Sequence, residues 1–328
     1  MKIQVSDYEK KYKFELKPIT QICGQNIITK NYIIESIRRY FGSYKYSETK
    51  NRWRDNIEVD GEIVGRKYYE ILSISGKADL LDHIKMTKQS LMTEYLTEIV
   101  NDYESQQFME VIGCQIEKVF MELNNKLNLI GNIELTYSTS EIWDMIQKSS
   151  ITSLEEDNIE DLNGYEMFCI FFNILENVMK HNPKRLWIIL ENIDHMVSPE
   201  EYERLFLRMH EISQKNEIYF IISISLDNYA IVNNSTLDGV VIINNEILQL
   251  DELNNIKQFI EYNYPYNKEF DNKKIMDILR NIIQKVGKKS YLTSVEENVV
   301  CKIFNDTLLE NEKLNHSYKE VELAFLET

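Results

Sequence analysis

Between Ile19 and Phe41 the chain passes from an apolar stretch, Ile19-Thr-Gln-Ile-Cys23, through Gly24-Gln-Asn-Ile-Ile-Thr29-Lys30-Asn31, into Tyr32-Ile-Ile-Glu-Ser-Ile-Arg38-Arg39-Tyr-Phe41. A strand, a glycine-bearing turn and a helix in that order frame a phosphate-binding loop, G-x-x-x-x-G-K-[ST]. In such a loop the glycines let backbone amides wrap a phosphate, the lysine neutralises charge and the hydroxyl holds Mg²⁺. Gly24 and Lys30 keep the required separation. Thr29 stands where the second glycine belongs and adds a Cβ, while Asn31 replaces the metal-binding hydroxyl. The expectation is a nucleoside triphosphatase scaffold that no longer handles nucleotide.

Arg185-Leu-Trp-Ile-Ile-Leu190-Glu191-Asn192-Ile-Asp194 reads as a short buried strand ending in an acid, the position at which such folds hold their metal. Asn192 occupies the place of the glutamate that activates water, and an amide cannot serve as a general base. Glu217-Ile-Tyr-Phe-Ile-Ile-Ser223 reads as a neighbouring strand, and no Ser-Gly-Gly-Gln signature occurs. The three segments resemble an ABC-type core without its catalytic parts. The fold class expected is α/β.

With 328 residues the chain suffices for one large or two moderate domains. Its apolar runs fall short of the roughly 20 residues a membrane span needs. The N-terminus lacks the apolar core of a signal peptide, which gives a cytoplasmic expectation. Cys23, Cys114, Cys169 and Cys301 lie far apart, without metal-ligand spacing, and read as buried free thiols. The net charge is −16, but residues 1–90 carry a balance of +5 against −21 for the remainder. That asymmetry suggests one face for an anion and others for water or subunits.

Strands are expected at 2–5, 13–16 and 19–23, then a helix from about Lys30 to Phe41. Asp60-Gly61 between the strand-like runs 56–60 and 68–75 predicts a hairpin. Helical periodicity follows over 79–180. This divides the chain into an α/β head (1–78 with 181–250), a mainly helical insertion (79–180) and accessory C-terminal helices (251–328). Ser198-Pro-Glu-Glu201 and Ser294-Val-Glu-Glu297 are capping boxes that start helices, and an Asn-Asn turn joins strands at 240–243 and 247–250.

Basic and aromatic residues interleave from Arg38 to Arg54, with Tyr40, Phe41, Tyr44, Tyr46 and Trp53 among the cations. Arg38, Arg39, Lys45, Lys50, Arg52 and Arg54, extended by Arg66 and Lys67, make a candidate surface for phosphates, independent of sequence. The aromatics either stack on exposed bases at an end or pack beneath the charges.

Taken together, the broken loop, the helical insertion and the returning acid-capped strand resemble the Csn-two family, the spacer-acquisition subunit of type II-A CRISPR systems. Ile22-Cys-Gly-Gln-Asn26, Lys30-Asn-Tyr-Ile33, Asn56-Ile-Glu58 and Val64-Gly-Arg-Lys-Tyr68 look most like its longer subgroup. The resemblance implies an ATPase-related head with an inserted helical leg, and a homotetrameric ring around a basic hole. It also implies non-catalytic binding of double-stranded DNA at free ends, alongside other CRISPR adaptation proteins and the RNA-guided effector nuclease. Shorter members use calcium bound by acidic leg residues. Those acids have no position-by-position match in this chain; the region from Glu134 to Asp144 offers only Glu134, Glu141 and Asp144, with Asn128 and Asn132 nearby, and these also read as ordinary exposed acids. Two other readings stay open: a divergent P-loop NTPase using Lys30 and Glu191, and a protein-binding scaffold without DNA contact.

Overall fold

The computed structural model describes residues 1–8, 10–42, 53, 55–127, 136, 140–152, 158–288 and 294–310, with only the backbone described at 140–143. In chain order the elements are β1 (Lys2–Asp7), β2 (Lys10–Glu15), β3 (Ile19–Cys23), α1 (Ile27–Phe41), β4 (Ile57–Val59) and β5 (Glu70–Ile74). There follow α2 (Lys77–Ile84), α3 (Leu91–Val100), α4 (Tyr103–Leu127), α5 (Ser140–Gln147) and α6 (Gly164–His181). The rest comprises β6 (Leu186–Glu191), α7 (Pro199–Lys215), β7 (Ile218–Ser223), β8 (Val240–Ile243), β9 (Ile247–Gln249), α8 (Leu253–Asn263), α9 (Asn272–Ile282) and α10 (Val295–Thr307). The chain forms two compact units, one of Met1–Ser75 with Lys184–Thr328 and one of Gly76–Pro183.

The first unit holds two sheets, a three-stranded one in the order β2-β1-β4 and a six-stranded one in the order β5-β6-β7-β3-β8-β9. The small sheet is antiparallel. In the large sheet five strands run parallel and only β9 is antiparallel. Its central strands are apolar runs because helices and the small sheet leave them no wet face: Ile188, Ile189, Leu190, Ile221, Ile222 and Val241 are all fully buried. The fold is therefore mixed α/β. Helix α1 contributes Tyr32, Ile33, Ile37, Tyr40 and Phe41 to one cluster with Ile3, Val5, Phe14, Ile57 and Val59 of the small sheet. The same cluster takes in Ile22, Trp187, Ile189, Ile221 and Val241 of the large one. Each such side chain contributes about 1.5–3 kcal/mol when fully buried.

The edge of β2 is joined to the large sheet by a side chain. Gln249 accepts the Glu15 amide at 2.5 Å and donates to the Glu15 and Asp238 carbonyls, each at 2.8 Å.

The hairpin expected across Asp60-Gly61 does not form. That turn, with φ of +52° and +86°, closes only the bridge between Val59 and Glu62. Ile57 and Val59 need the apolar face of β1, so β4 pairs there, while β5 runs parallel to β6 in the other sheet. The β8–β9 hairpin and both capping boxes form as the sequence predicts. Of the cysteines, Cys23 and Cys301 are buried, Cys169 is half-buried and Cys114 is exposed, contrary to the expectation of four buried thiols. Burial pushes the Cys23 thiol up to about 12 and Cys301 to about 11, which keeps both neutral.

The second unit is helical among its described residues. Helices α2 and α3 pack against α6, whose Met167, Phe168, Phe171, Phe172, Leu175 and Val178 line one face at three- and four-residue spacing and are fully buried. Asn163 and Glu166 form a capping box at its start. No helix among the described residues is long and apolar enough to cross a membrane.

Candidate functional site

The turn between β3 and α1 folds as a loop in which the amides of Gln25, Asn26, Ile27 and Thr29 already have acceptors within the protein. Gly24 has φ +103°, and a Cβ there would run into the Ile243 backbone, so this glycine is required. The helix then starts at Ile27, earlier than Lys30, because Asn26 caps it: the Asn26 side chain accepts the Thr29 amide at 3.0 Å. The Gln25 amide donates to Asn244 Oδ1 at 2.6 Å, the Asn26 amide to the Ile243 carbonyl at 3.2 Å and the Ile27 amide to Gln25 at 3.0 Å. A working phosphate loop presents such amides to its ligand; here the protein itself accepts them. Ile27 and Ile28, 64% and 83% exposed, put apolar side chains where a phosphate would need donors.

Lys30 is turned inward and only 4% exposed, its ammonium donating to the Ile224 carbonyl at 3.2 Å. Burial pulls its pKa below the ordinary value, opposed by Cys23 and Asp194 nearby. Asn31 is exposed on the helix surface.

At the end of β6, Glu191 is held by Arg38, and Arg38 also donates to Glu35 at 2.9 Å and to Ser73 at 3.0 Å. An acid neutralised by an adjacent guanidinium is a poor metal ligand. Asn192 follows with φ +57°, and its amide donates to the Ser75 carbonyl at 3.1 Å. The buried acid of this corner is Asp194, 2% exposed, which accepts from the Ser225 and Leu226 amides, each at 2.7 Å, and from the Ser225 hydroxyl at 2.9 Å. It ties down the segment after β7.

The basic segment divides into structural and undescribed residues. Arg39 pairs with Glu35 and lies over the Trp53 ring, 4.7 Å from its centroid, while Trp53 packs on Tyr32 at 4.8 Å. Trp53 thus packs beneath a charge, as one of the two sequence readings allowed. Arg66 caps the C-terminus of α1, donating to the carbonyls of Tyr40 at 2.9 Å, Gly42 at 3.1 Å and Arg39 at 3.2 Å. Lys67 is exposed. Lys45, Lys50, Arg52 and Arg54 lie outside the described residues, as do Asn128, Asn132, Glu134 and the side chain of Glu141. Among the described residues no group of three or more His, Cys, Asp or Glu is placed to hold a metal ion.

The model of the CRISPR-associated protein Csn2, subfamily St, matches residues 4–319. The chain belongs to the Csn2 family. Its role is therefore CRISPR-associated. Comparison with the curated proteins gives no match. Among solved structures, Stu0660 of Streptococcus thermophilus superposes with a TM-score of 0.87 at 24% identity, covering 100% of this chain and 99% of that one. The Smc head bound to the C-terminal winged-helix domain of ScpA gives 0.42 at 14% identity, covering 76% of this chain and 97% of that one. The Smc head of Pyrococcus furiosus with an extended coiled coil gives 0.41 at 12%, covering 80% and 98%.

In this Csn2 chain, sequence reasoning passed over three groups that shape the site. Asn26 carried a readable signal, an asparagine three residues before Thr29 at a helix start. Asn244 and Asp194 act across more than 30 residues of sequence, on Gln25 and Ser225, and no local pattern announces that.

Proposed function

We propose that this chain is a non-catalytic, sequence-independent double-stranded DNA-binding protein that acts at free duplex ends during spacer acquisition. Family membership supplies the setting. The observation that carries the non-catalytic part is the consumed loop: the amides of Gln25, Asn26, Ile27 and Thr29 all donate within the protein, and Glu191 is tied to Arg38. A nucleotide phosphate would have to displace each of these bonds, so the alternative of a divergent NTPase using Lys30 and Glu191 is disfavoured. Lys30 would also have to leave its buried site.

In the proposed arrangement four copies form a ring that turns a basic surface inward, while the acidic remainder faces solvent and limits aggregation. Other adaptation proteins and the effector nuclease dock on the outside. Calcium is a candidate stabiliser of the ring, held by oxygens of the second unit, since such an ion takes roughly 6 to 8 oxygen ligands.

The test is a gel shift of the full chain with linear and covalently closed duplex, with calcium and with chelator, alongside light scattering. The proposal expects a tetramer and strong preference for linear duplex. Equal retention of both duplexes would remove the end-binding reading, and absence of any retention would favour the protein scaffold. Stabilisation by ATP or GTP with Mg²⁺ that Lys30→Ala abolishes would restore the NTPase reading.

A further inference from the structure

Beneath the closed loop, two side chains of opposite charge grip one peptide. Lys30 donates its ammonium to the Ile224 carbonyl at 3.2 Å, and Asp194 accepts the Ser225 amide at 2.7 Å. The Ile224 carbonyl and the Ser225 amide are the two ends of a single peptide unit. A cation at its oxygen and an anion at its N–H both lie along its dipole in the favourable sense. The grip fixes the chain where it leaves β7. Lys30 is 4% exposed and Asp194 2%, so bulk water compensates neither charge.

Both groups keep hydrogen-bonding capacity in reserve. An ammonium carries three protons, and Lys30 gives one of them to Ile224. The bonds to Asp194 all fall on Oδ2, while its buried Oδ1 has no hydrogen-bond partner among the described residues. The Tyr202 hydroxyl, fully buried near the start of α7, has none either. Helix α7 packs against β3 and against the turn at 193–195, which sets Tyr202 beside Cys23 and Asp194. Those are also the two groups beside Lys30. Buried polar atoms in folded proteins are nearly always bonded, to protein or to ordered water. Here a donor, an acceptor and a hydroxyl that can be either converge on the same buried corner.

We propose that Lys30 Nζ, Asp194 Oδ1 and the Tyr202 hydroxyl form a binding site for one internal water molecule, which completes the link between the two buried charges. The donor set selects the ligand. An anion would be repelled by Asp194 and a metal cation by Lys30, whereas a neutral molecule with both donors and acceptors satisfies each. The water accepts from Lys30 and Tyr202 and donates to Asp194, the usual complement of about three bonds. The site goes beyond the non-catalytic reading and does not depend on DNA binding. It gives Lys30 a second partner inside the fold, and so a reason to stay there.

The experiment is a crystal structure of the full chain at a resolution that shows ordered water, with melting curves of the variants beside it. The expected result is a water peak about 2.7–3.2 Å from both Lys30 Nζ and Asp194 Oδ1. Tyr202→Phe keeps the ring, removes the third bond and should lower the melting temperature by about 2–4 °C. Lys30→Met and Asp194→Asn each leave the other group without its counter-charge and should lower it further. The double variant should fall by less than the sum of the two single losses, because both charges leave together. Density that shows no peak in contact with both atoms overturns the site, and so does a peak with the anomalous signal of a metal. A wild-type melting temperature in Tyr202→Phe removes Tyr202 from it, and strictly additive losses in the double variant overturn the link between the charges.

Discussion

Gln25 gives its backbone amide to the Asn244 side chain at 2.6 Å, and the nitrogen of that side chain lies 3.5 Å from the Val286 carbonyl. One asparagine, 2% exposed, therefore links the loop after β3, the β8–β9 turn and the C-terminal helices. Gly287 beside it has φ +80° and no room for a Cβ against Asn244. Asn244→Ala should leave the Gln25 amide without its partner and cost about 1–3 kcal/mol. Thermal unfolding should show a fall of several degrees, and hydrogen exchange at Gln25 should accelerate.

Arg38→Met should destabilise the first unit by about 1–3 kcal/mol, since Glu191 and Glu35 lose a shared guanidinium partner. Lysine is a poor substitute because it lacks the planar fork that meets both acids and Ser73. Urea unfolding measures the loss.

Arg66→Ala uncaps three carbonyls at the end of α1, and the expected cost is about 1–2 kcal/mol. Arg66→Lys should recover only part of it. Faster exchange confined to the last turn of α1, with the rest of the helix unchanged, would verify the cap.

His83 in α2 is half-buried beside Phe171, with ring centroids 5.9 Å apart, and its buried Nδ1 has no hydrogen-bond partner among the described residues. Burial lowers its pKa below 6.5, while Asp79 and Asp82 on the same helix oppose the shift. A lowered histidine pKa contributes stability that is complete above 6.5 and is lost as pH falls toward the folded value. The second unit should accordingly weaken below about pH 6.5. His83→Phe should flatten that acid limb in melts taken at pH 5 and pH 7.5.

Elements with local signals were legible in the sequence. Ser198 and Ser294 announce helices that form as read, and the apolar runs at Ile19, Leu186 and Ile218 are adjacent parallel strands. Gly24 and Lys30 fixed the type of turn, and the defects at Thr29 and Asn31 agree with a loop that keeps its donors for itself. Charge in the sequence carries no geometry. Arg38, Arg39 and Arg66 look like a phosphate patch in one dimension, yet they serve a strand-end acid, a helix acid with an indole, and a helix terminus. The hairpin expected at Asp60 failed for a similar reason, because a turn signal says where the chain bends and not which strand it then meets.

The amide of Gln249, bonded to Glu15 through both its oxygen and its nitrogen, carries the donor and acceptor of a peptide group. It supplies a single residue of strand pairing between two sheets that are otherwise separate ladders. The two sheets also share the core around α1 and the Lys17–Asp238 ion pair at 3.0 Å, so Gln249→Leu should loosen this seam while leaving both sheets intact.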